Sequence, residues 1–308
     1  MPGWNGSLHE RVPMSRKEPK ALVWFNGRIL PAARARISVF DRGLLYGDAV
    51  FETIRIYAGQ PFRWPAHHQR LRKTLARLSI DVPGVDLRKA LDEITSAAGA
   101  KDAAVRLTIT RGEGEGLLPP QETTPNILLM PRPIPPDLEA KRAAGVETIR
   151  LPFGQGRSGY TTGYKTTDYA AAVMGRRLAA KAGAFEALYV ENDGNLSEAT
   201  TSNLFVVRRG KVLTPPGQAG CLPGITREVV LQLARRSGLR VEEKGLRAGD
   251  LESAREIFLT GSVIEVMPVV RVDGNRIGDG QPGPVTRGLQ EAYQRTIQRS
   301  VAGRRKST

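Results

Sequence analysis

Residues 192–205 read NDGNLSEATTSNLF, with Glu198 at their centre. Ser197, Thr200, Thr201, Ser202 and Asn203 enclose it in small hydroxylic and amide side chains. The run before it (FEALYVE, 185–191) and the run behind it (NLFVVR, 203–208) both read as buried strands. A carboxylate in that setting has little reason to be there for solubility, since a charge taken out of water must be matched by partners. The stretch marks a site set among strands, and the rest of the chain has to supply its other walls.

Downstream, residues 211–213 form a third strand. Gly224, Ile225 and Thr226 open a helix through Val229, Val230, Leu233 and Ala234 that ends at Gly238. Residues 256–260 read as a strand, Gly261 and Ser262 as a turn, 264–272 as another strand, and Thr286 as the start of a last helix. Upstream, 145–151 is a strand and a Gly-rich loop at 154–163 delivers Lys165. Asp168 is expected to cap a helix running to Ala182 and ended by Gly183.

Farther toward the N-terminus, Pro131-Arg132-Pro133-Ile134-Pro135-Pro136 reads as a stiff linker without the donors a ladder needs. Before it come a hairpin at 21–30 around Asn26-Gly27 and a strand at 50–57. A helix from Pro65 has Leu71, Leu75 and Leu78 on one face, and a second is capped by Asp86. Strands at 104–110 and 126–130 flank a loop at 112–120. The layout is α+β in two domains. A smaller N-terminal α/β domain covers 21–130, a linker 131–137, and a larger, β-rich C-terminal domain 138–308. Residues 1–20 lack the apolar core of a secretory signal and read as a disordered extension, with Met14 an alternative start.

The 308 residues are 40% hydrophobic, enough for ordinary globular cores, and no apolar run is long enough to span a bilayer. A single cysteine, Cys221, forms no intramolecular disulfide and fits a reducing cytoplasm. The net charge of +15 is not matched by stacking aromatics, which are 6% of the chain, so no nucleic acid is expected as partner. Clusters at Arg176-Arg177, Arg235-Arg236 and Arg304-Arg305-Lys306 read as solvated surface.

Lys165, in TTGYKTTDY, lies at a loop-to-helix junction beside Tyr164, where partial desolvation lowers a lysine pKa and makes the amine a nucleophile. A surface lysine is the plainer reading of that residue alone. Gly224-Ile225-Thr226 offers free N–H groups and a positive helix end to a phosphate, and Thr260-Gly261-Ser262 is a second such turn. Arg70 can add a bidentate charge there, or lie on a helix surface. His67 and His68 have no third ligand at metal spacing and read as packing or capping residues, with no metal expected.

Taken together, six pieces resemble one family: DRGLLYGDAVFET (41–53), HHQRL (67–71), YKTTDY (164–169), GNLSEATTSNLFVV (194–207), CLPGITRE (221–228) and FLTGSVIEVMPV (258–269). The chain is similar to the class IV aminotransferases, the fold-type IV pyridoxal phosphate enzymes. These include branched-chain aminotransferases, D-amino acid aminotransferases and aminodeoxychorismate lyases. The resemblance implies that Lys165 carries pyridoxal 5′-phosphate and moves the substrate α-proton, and that Glu198 faces the pyridine nitrogen. It places Arg70, Ile225, Thr226 and Ser262 at the phosphate, Leu222 on the ring face and Tyr169 near the phenolate oxygen. Asp168 departs from the Asn frequent in the family. The turn at Ser262 and Val263 would present N–H groups to the substrate carboxylate.

The resemblance also bears on substrate. The Arg-x-His carboxylate trap of familiar D-amino acid enzymes is absent from TRGEGEGLLPP, and Phe51 stands where they carry tyrosine. Tyr46 and Phe51 resemble the aromatic pair of branched-chain enzymes and Arg106 an arginine on their neighbouring strand, although Ala104 replaces the tyrosine two residues earlier. An aminotransferase for branched-chain or other apolar L-amino acids with a 2-oxo acid acceptor is the first expectation. Aminodeoxychorismate lyase is second, and a D-amino acid or (R)-amine enzyme third. The family also implies a homodimer.

Overall fold

Two sheets divide the chain, of which the computed structural model describes residues 21–82, 84–156, 161–217 and 220–304. The expected extension at 1–20, part of the Gly-rich loop (157–160) and most of the C-terminal basic cluster (305–306) lie outside the described residues.

The first sheet is antiparallel, in the order β2 (Arg28–Pro31), β1 (Leu22–Phe25), β6 (Ile127–Pro133), β5 (Asp102–Thr110), β3 (Ala49–Tyr57) and β4 (Gln60–Pro61). Asn26 (φ 45°) and Gly27 (φ 87°) supply the two left-handed residues that a two-residue hairpin between β1 and β2 requires. α2 (Trp64–Leu78) and α3 (Leu87–Ala97) cover this sheet. Their Leu71, Leu75, Leu91 and Ile94 join Val50, Ile54, Val105 and Leu107 in one core. Each fully buried Leu or Ile there contributes about 2 kcal/mol. Asp86 caps α3 through the Arg88 and Lys89 N–H groups, as its sequence predicts.

The second sheet has ten strands. Its order is β12 (Arg240–Glu243), β11 (Lys211–Thr214), β10 (Asn203–Arg208), β14 (Glu256–Gly261), β15 (Glu265–Val272), β7 (Val146–Arg150), β8 (Glu186–Val190), β9 (Asn195–Ala199) and β13 (Leu246–Arg247), with β16 (Asn275–Arg276) beside β15. α6 (Ile225–Arg236) and α8 (Pro284–Arg304) pack over β10 and β14 through Val230, Leu231, Tyr293, Phe205 and Phe258. Around the rim lie α1 (Arg42–Tyr46), α4 (Leu138–Ala144), α5 (Ala170–Lys181) and α7 (Ala248–Glu252).

Three expectations are corrected. Asp168 does not cap α5: Tyr169 occupies the N-cap, and no side chain caps that end. The expected linker begins late, because residues 131–133 continue β6 and pair with Val105, Ala104 and Ala103. The backbone of Ile127 bonds toward Asn26 on the β1 side, so alternation turns the nitrogens of Pro131 and Pro133 the same way. That is away from the β5 ladder, where the missing donors cost nothing. Finally, Glu198 lies within a strand, β9, rather than between strands.

The sheets meet along β3. The Phe51 N–H donates to the Lys165 carbonyl (3.0 Å) and the Thr167 N–H to the Ala49 carbonyl (3.0 Å), so the lysine-bearing segment is laced to the first sheet.

Candidate active site

Glu198 is 8% exposed on β9. Gln155 Nε2 donates to its Oε1 (2.7 Å), while the Leu222 N–H (3.0 Å) and Asn203 Nδ2 (3.1 Å) donate to its Oε2. Asn203 Nδ2 also donates to the Leu222 carbonyl (2.8 Å), so one amide fixes both the carboxylate and the leucine beside it.

Glu198 looks into a hollow of about 550 Å³ that it shares with Lys165, Tyr169, Thr200, Asn203 and Leu222. A second hollow of about 780 Å³ adjoins it and shares Lys165, Tyr169, Thr201, Asn203 and Leu222, so the two form one cleft. The second half is walled by Phe51, Thr53 and Arg106 from the first sheet. Arg70, the start of α6 at 224–226 and the turn at 260–264 close it on the other sides. The Lys165 ammonium lies 4.2 Å from the centre of the Phe51 ring. That ring meets Tyr169 edge to face at 5.0 Å and carries the Arg106 guanidinium at 3.7 Å. Burial lowers the Arg106 pKa, with nearby Arg132 acting in the same direction.

Alternation along β3 turns Phe51 and Thr53 to the cleft and Glu52 to α2. Glu52 is fully buried and holds Arg70 by two parallel bonds, Nε to Oε1 (2.8 Å) and Nη2 to Oε2 (2.7 Å). Arg70 Nη1 donates to the Pro223 carbonyl (3.0 Å), just ahead of α6. His67, three residues before Arg70 on the same helix face, places Nδ1 2.8 Å from Glu52 Oε2. Burial pushes the Glu52 pKa up, but Arg70 and His67 outweigh it and hold the carboxyl far below its ordinary range. Burial lowers the pKa of His67, which favours the neutral ring, and Nδ1 is the donor because its partner is a carboxylate.

At the start of α6, Gly224 is the N-cap, and the Ile225 and Thr226 N–H groups have no partner within the helix. A Cβ on Gly224 would lie 2.0 Å from Asn203 Oδ1, so only glycine fits beside that amide. Two buried hydroxyls on the cleft, Ser202 Oγ and Thr260 Oγ1, have no hydrogen-bond partner among the described residues.

The cleft therefore gathers Arg70, Lys165, Tyr169, Glu198, Leu222, Ile225, Thr226, Ser262, Val263, Phe51 and Arg106. It does not gather Tyr46, which is 42% exposed on α1 beneath the Arg42 guanidinium. Gln155 and Glu52 are the additions that sequence reasoning did not assign to a role, whereas Asn203 beside Glu198 and Thr260 in the second turn lie where it put them. Among the described residues no group of three His, Cys, Asp or Glu could hold a metal, and no helix is long and apolar enough to cross a membrane.

A lysine, a carboxylate and a helix N-terminus set in one cleft between a small and a large sheet are the arrangement of a fold-type IV pyridoxal phosphate enzyme, the fold this chain has. The model for amino-transferase class IV matches residues 49–272, and the chain belongs to that family. It is 37% identical over 277 residues (88% of this chain, 94% of the relative) to a protein of Methanocaldococcus jannaschii provisionally named a branched-chain-amino-acid aminotransferase. It is 34% identical over 284 residues (89% and 96%) to the D-alanine aminotransferase of Bacillus licheniformis. Among solved structures, the branched-chain aminotransferase of the archaeon Thermoproteus uzoniensis with norvaline superposes at a TM-score of 0.82. It shares 29% identity, over 89% of this chain and 94% of that one. The cofactor of the family is pyridoxal 5′-phosphate, and this chain is a pyridoxal phosphate-dependent aminotransferase.

Proposed function

We propose that the chain transfers the amino group of an apolar L-amino acid, branched-chain ones first, to a 2-oxo acid. The observation that carries this reading is the wall formed by Phe51 and Tyr169, with the Arg106 guanidinium over the Phe51 ring. Aromatic surface suits an apolar side chain, while the guanidinium suits a second carboxylate on an acidic partner substrate. Solved branched-chain relatives point the same way, one with 4-methylvaleric acid and one with N-(5′-phosphopyridoxyl)-L-glutamate.

The residues present fit the cofactor. Arg70, the Ile225 and Thr226 N–H groups and Ser262 would hold its phosphate, and the unpartnered Thr260 hydroxyl lies among them. Glu198, with its three donors, would keep the pyridine nitrogen protonated, Leu222 would pack on the ring, and Tyr169 would reach the phenolate oxygen. When bound, the cofactor takes up the electron pair left at the substrate Cα. Lys165 Nζ, facing both halves of the cleft, would take the proton from Cα and return it to the cofactor carbon. The turn at Ser262 and Val263 would bind the substrate carboxylate through N–H groups.

A second reading, D-amino acid transfer, is favoured by the Bacillus licheniformis relative. One experiment separates the readings. Purified holoenzyme is mixed with L-leucine, D-alanine, an (R)-amine or aminodeoxychorismate, and cofactor absorbance and pyruvate release are followed, with Lys165→Ala as control. L-leucine should bleach the cofactor band fastest. Bleaching by D-alanine alone, or pyruvate from aminodeoxychorismate with no bleaching by any amine, would refute the assignment.

We further infer a homodimer. Val39, Phe40, Leu44, Leu45 and Tyr46 are all exposed on α1 and the segment before it, and a second copy seated there would bury them.

A further inference from the structure

The turn at 262–264 lines the cleft, and the residue that closes it, Glu265, lines a separate hollow together with Tyr57, Arg142, Tyr293 and Gln294. Glu265 pairs with Gly261 across the hairpin and is 3% exposed. Its φ of 58° is a left-handed conformation that any residue with a Cβ resists. Its side chain is engaged at both oxygens. Oε1 accepts from the Tyr57 hydroxyl at 2.7 Å, Oε2 accepts from Gln294 Nε2, and Arg142 Nη1 lies 3.3 Å from Oε2. Gln294 belongs to α8 and Arg142 to α4, but Tyr57 ends β3, in the other sheet. One carboxylate is therefore gripped from both sides of the domain junction.

The grip continues through aromatic rings. Tyr57 meets Phe62 edge to face at 5.7 Å, and Phe62 meets Tyr293 at 5.7 Å. Tyr293 packs in one core with Val229 and Val230, in the first turns of α6. None of Tyr57, Phe62, Glu265 and Tyr293 lines the cleft, yet together they connect its substrate-facing turn to its phosphate-facing helix start.

We propose that Glu265 and Tyr57 are positioning residues. Their hydrogen bond holds the turn at 262–264 in the shape that presents its N–H groups to the substrate carboxylate, and it makes donor binding depend on how the first sheet docks on the second. This rests on the reading of that turn as the carboxylate site. The effect falls on donor binding more than on the cofactor, because Lys165, Glu198 and Arg70 are anchored through other partners and Ser262 is one phosphate ligand among several.

Tyr57→Phe removes one hydroxyl and keeps the ring, and Glu265→Gln keeps the side-chain shape while removing its charge. Each is assayed by single-turnover reaction of the holoenzyme with L-leucine, or with D-alanine where that is the faster donor, beside a pyridoxal phosphate titration. Trp24→Phe, which loses the bond to Glu93 on the far side of the first sheet, serves as the structural comparator. Tyr57→Phe should raise the half-saturating donor concentration about ten-fold, the worth of one hydrogen bond to a charged group, with limiting rate and cofactor affinity held within about two-fold. Trp24→Phe should lower the melting temperature and leave half-saturation where it was. Donor half-saturation unchanged in Tyr57→Phe while the wild type reacts normally would overturn this inference alone, as would a parallel loss of cofactor affinity. A wild type that reacts with neither donor would overturn the functional reading and this with it. Should Glu265→Gln not fold, Tyr57→Phe still decides.

Discussion

Arg70 owes its direction to two residues that never reach the cleft. Glu52 holds it by two parallel bonds and His67 holds Glu52, so a guanidinium that would otherwise swing freely is fixed against the start of α6. The same triad makes the fold sensitive to acid. Unfolded, His67 titrates near 6.5, whereas burial keeps it neutral to lower pH in the folded chain. As pH falls through 6.5 the unfolded chain therefore takes up a proton that the folded one refuses, and stability is lost. Glu52 adds a second window with the same sign: its contribution is complete above its ordinary value of 4.5 and drains as pH falls below it. His67→Asn keeps a donor near Nδ1 but cannot titrate. The wild-type melting temperature should fall between about pH 7 and about pH 5, and the variant should be flat over that range. An equal slope in both would remove His67 as the source. The reach of sequence reading is clear at this scale. Lys165 and Glu198 stand out because each is chemically odd where it sits. The donors to Glu198 come from 43, 5 and 24 residues away, a convergence that no local spacing encodes.

The start of α6 brings sequence and site together in one element. Gly224 has φ −69° and ψ 136°, which any residue adopts, so its need for glycine is purely one of space. In Gly224→Ala the new methyl would push Asn203 aside, and that amide is shared by Glu198 and the Leu222 carbonyl. Losing those two bonds should weaken pyridoxal phosphate binding about ten-fold or more while the fold survives. A titration of the alanine variant that matched wild type would show that Asn203 is dispensable. Longer elements were legible wherever period and caps agree: the Asn26-Gly27 hairpin, α2 and α3 fall close to where their patterns put them. β9 was not, because Asn195, Ser197 and Glu198 make three of its five residues polar and break the apolar signature of a buried strand. α1 and α4, of five and seven residues, are too short for a helical period to emerge. Residues 131–133 failed as linker because alternation hides two prolines from the ladder.

At the scale of the whole molecule, the basic excess is not simply a solvated surface. Arg42, Arg55, Arg70, Arg111 and Arg227 are buried and bonded to carboxylates or carbonyls, so part of the charge braces the interior. The surface carries a different anomaly. Phe40 is 50%, Leu44 66% and Leu45 45% exposed, on a five-residue helix and the segment just ahead of it. Tyr46 lies in the same run instead of in the cleft that its sequence context predicts. Apolar side chains scattered singly need no explanation, but several exposed together on one short helix and the segment before it call for a partner. A second copy of this chain would cover the run and give Tyr46 an apolar wall to complete. The protein should then sediment at twice 33.6 kDa. Leu44→Asp replaces an exposed side chain, so it should cost the isolated fold about 0.5 kcal/mol at most, while a charge buried in an interface would cost several times more. The variant should therefore shift toward 33.6 kDa at micromolar concentration with its melting cooperativity intact, and its donor half-saturation should rise as Tyr46 loses its setting. A wild type that sediments as a single chain, or a Leu44→Asp variant that keeps the doubled mass, would show that this face is not the contact. Tyr46 would then have no part in substrate choice.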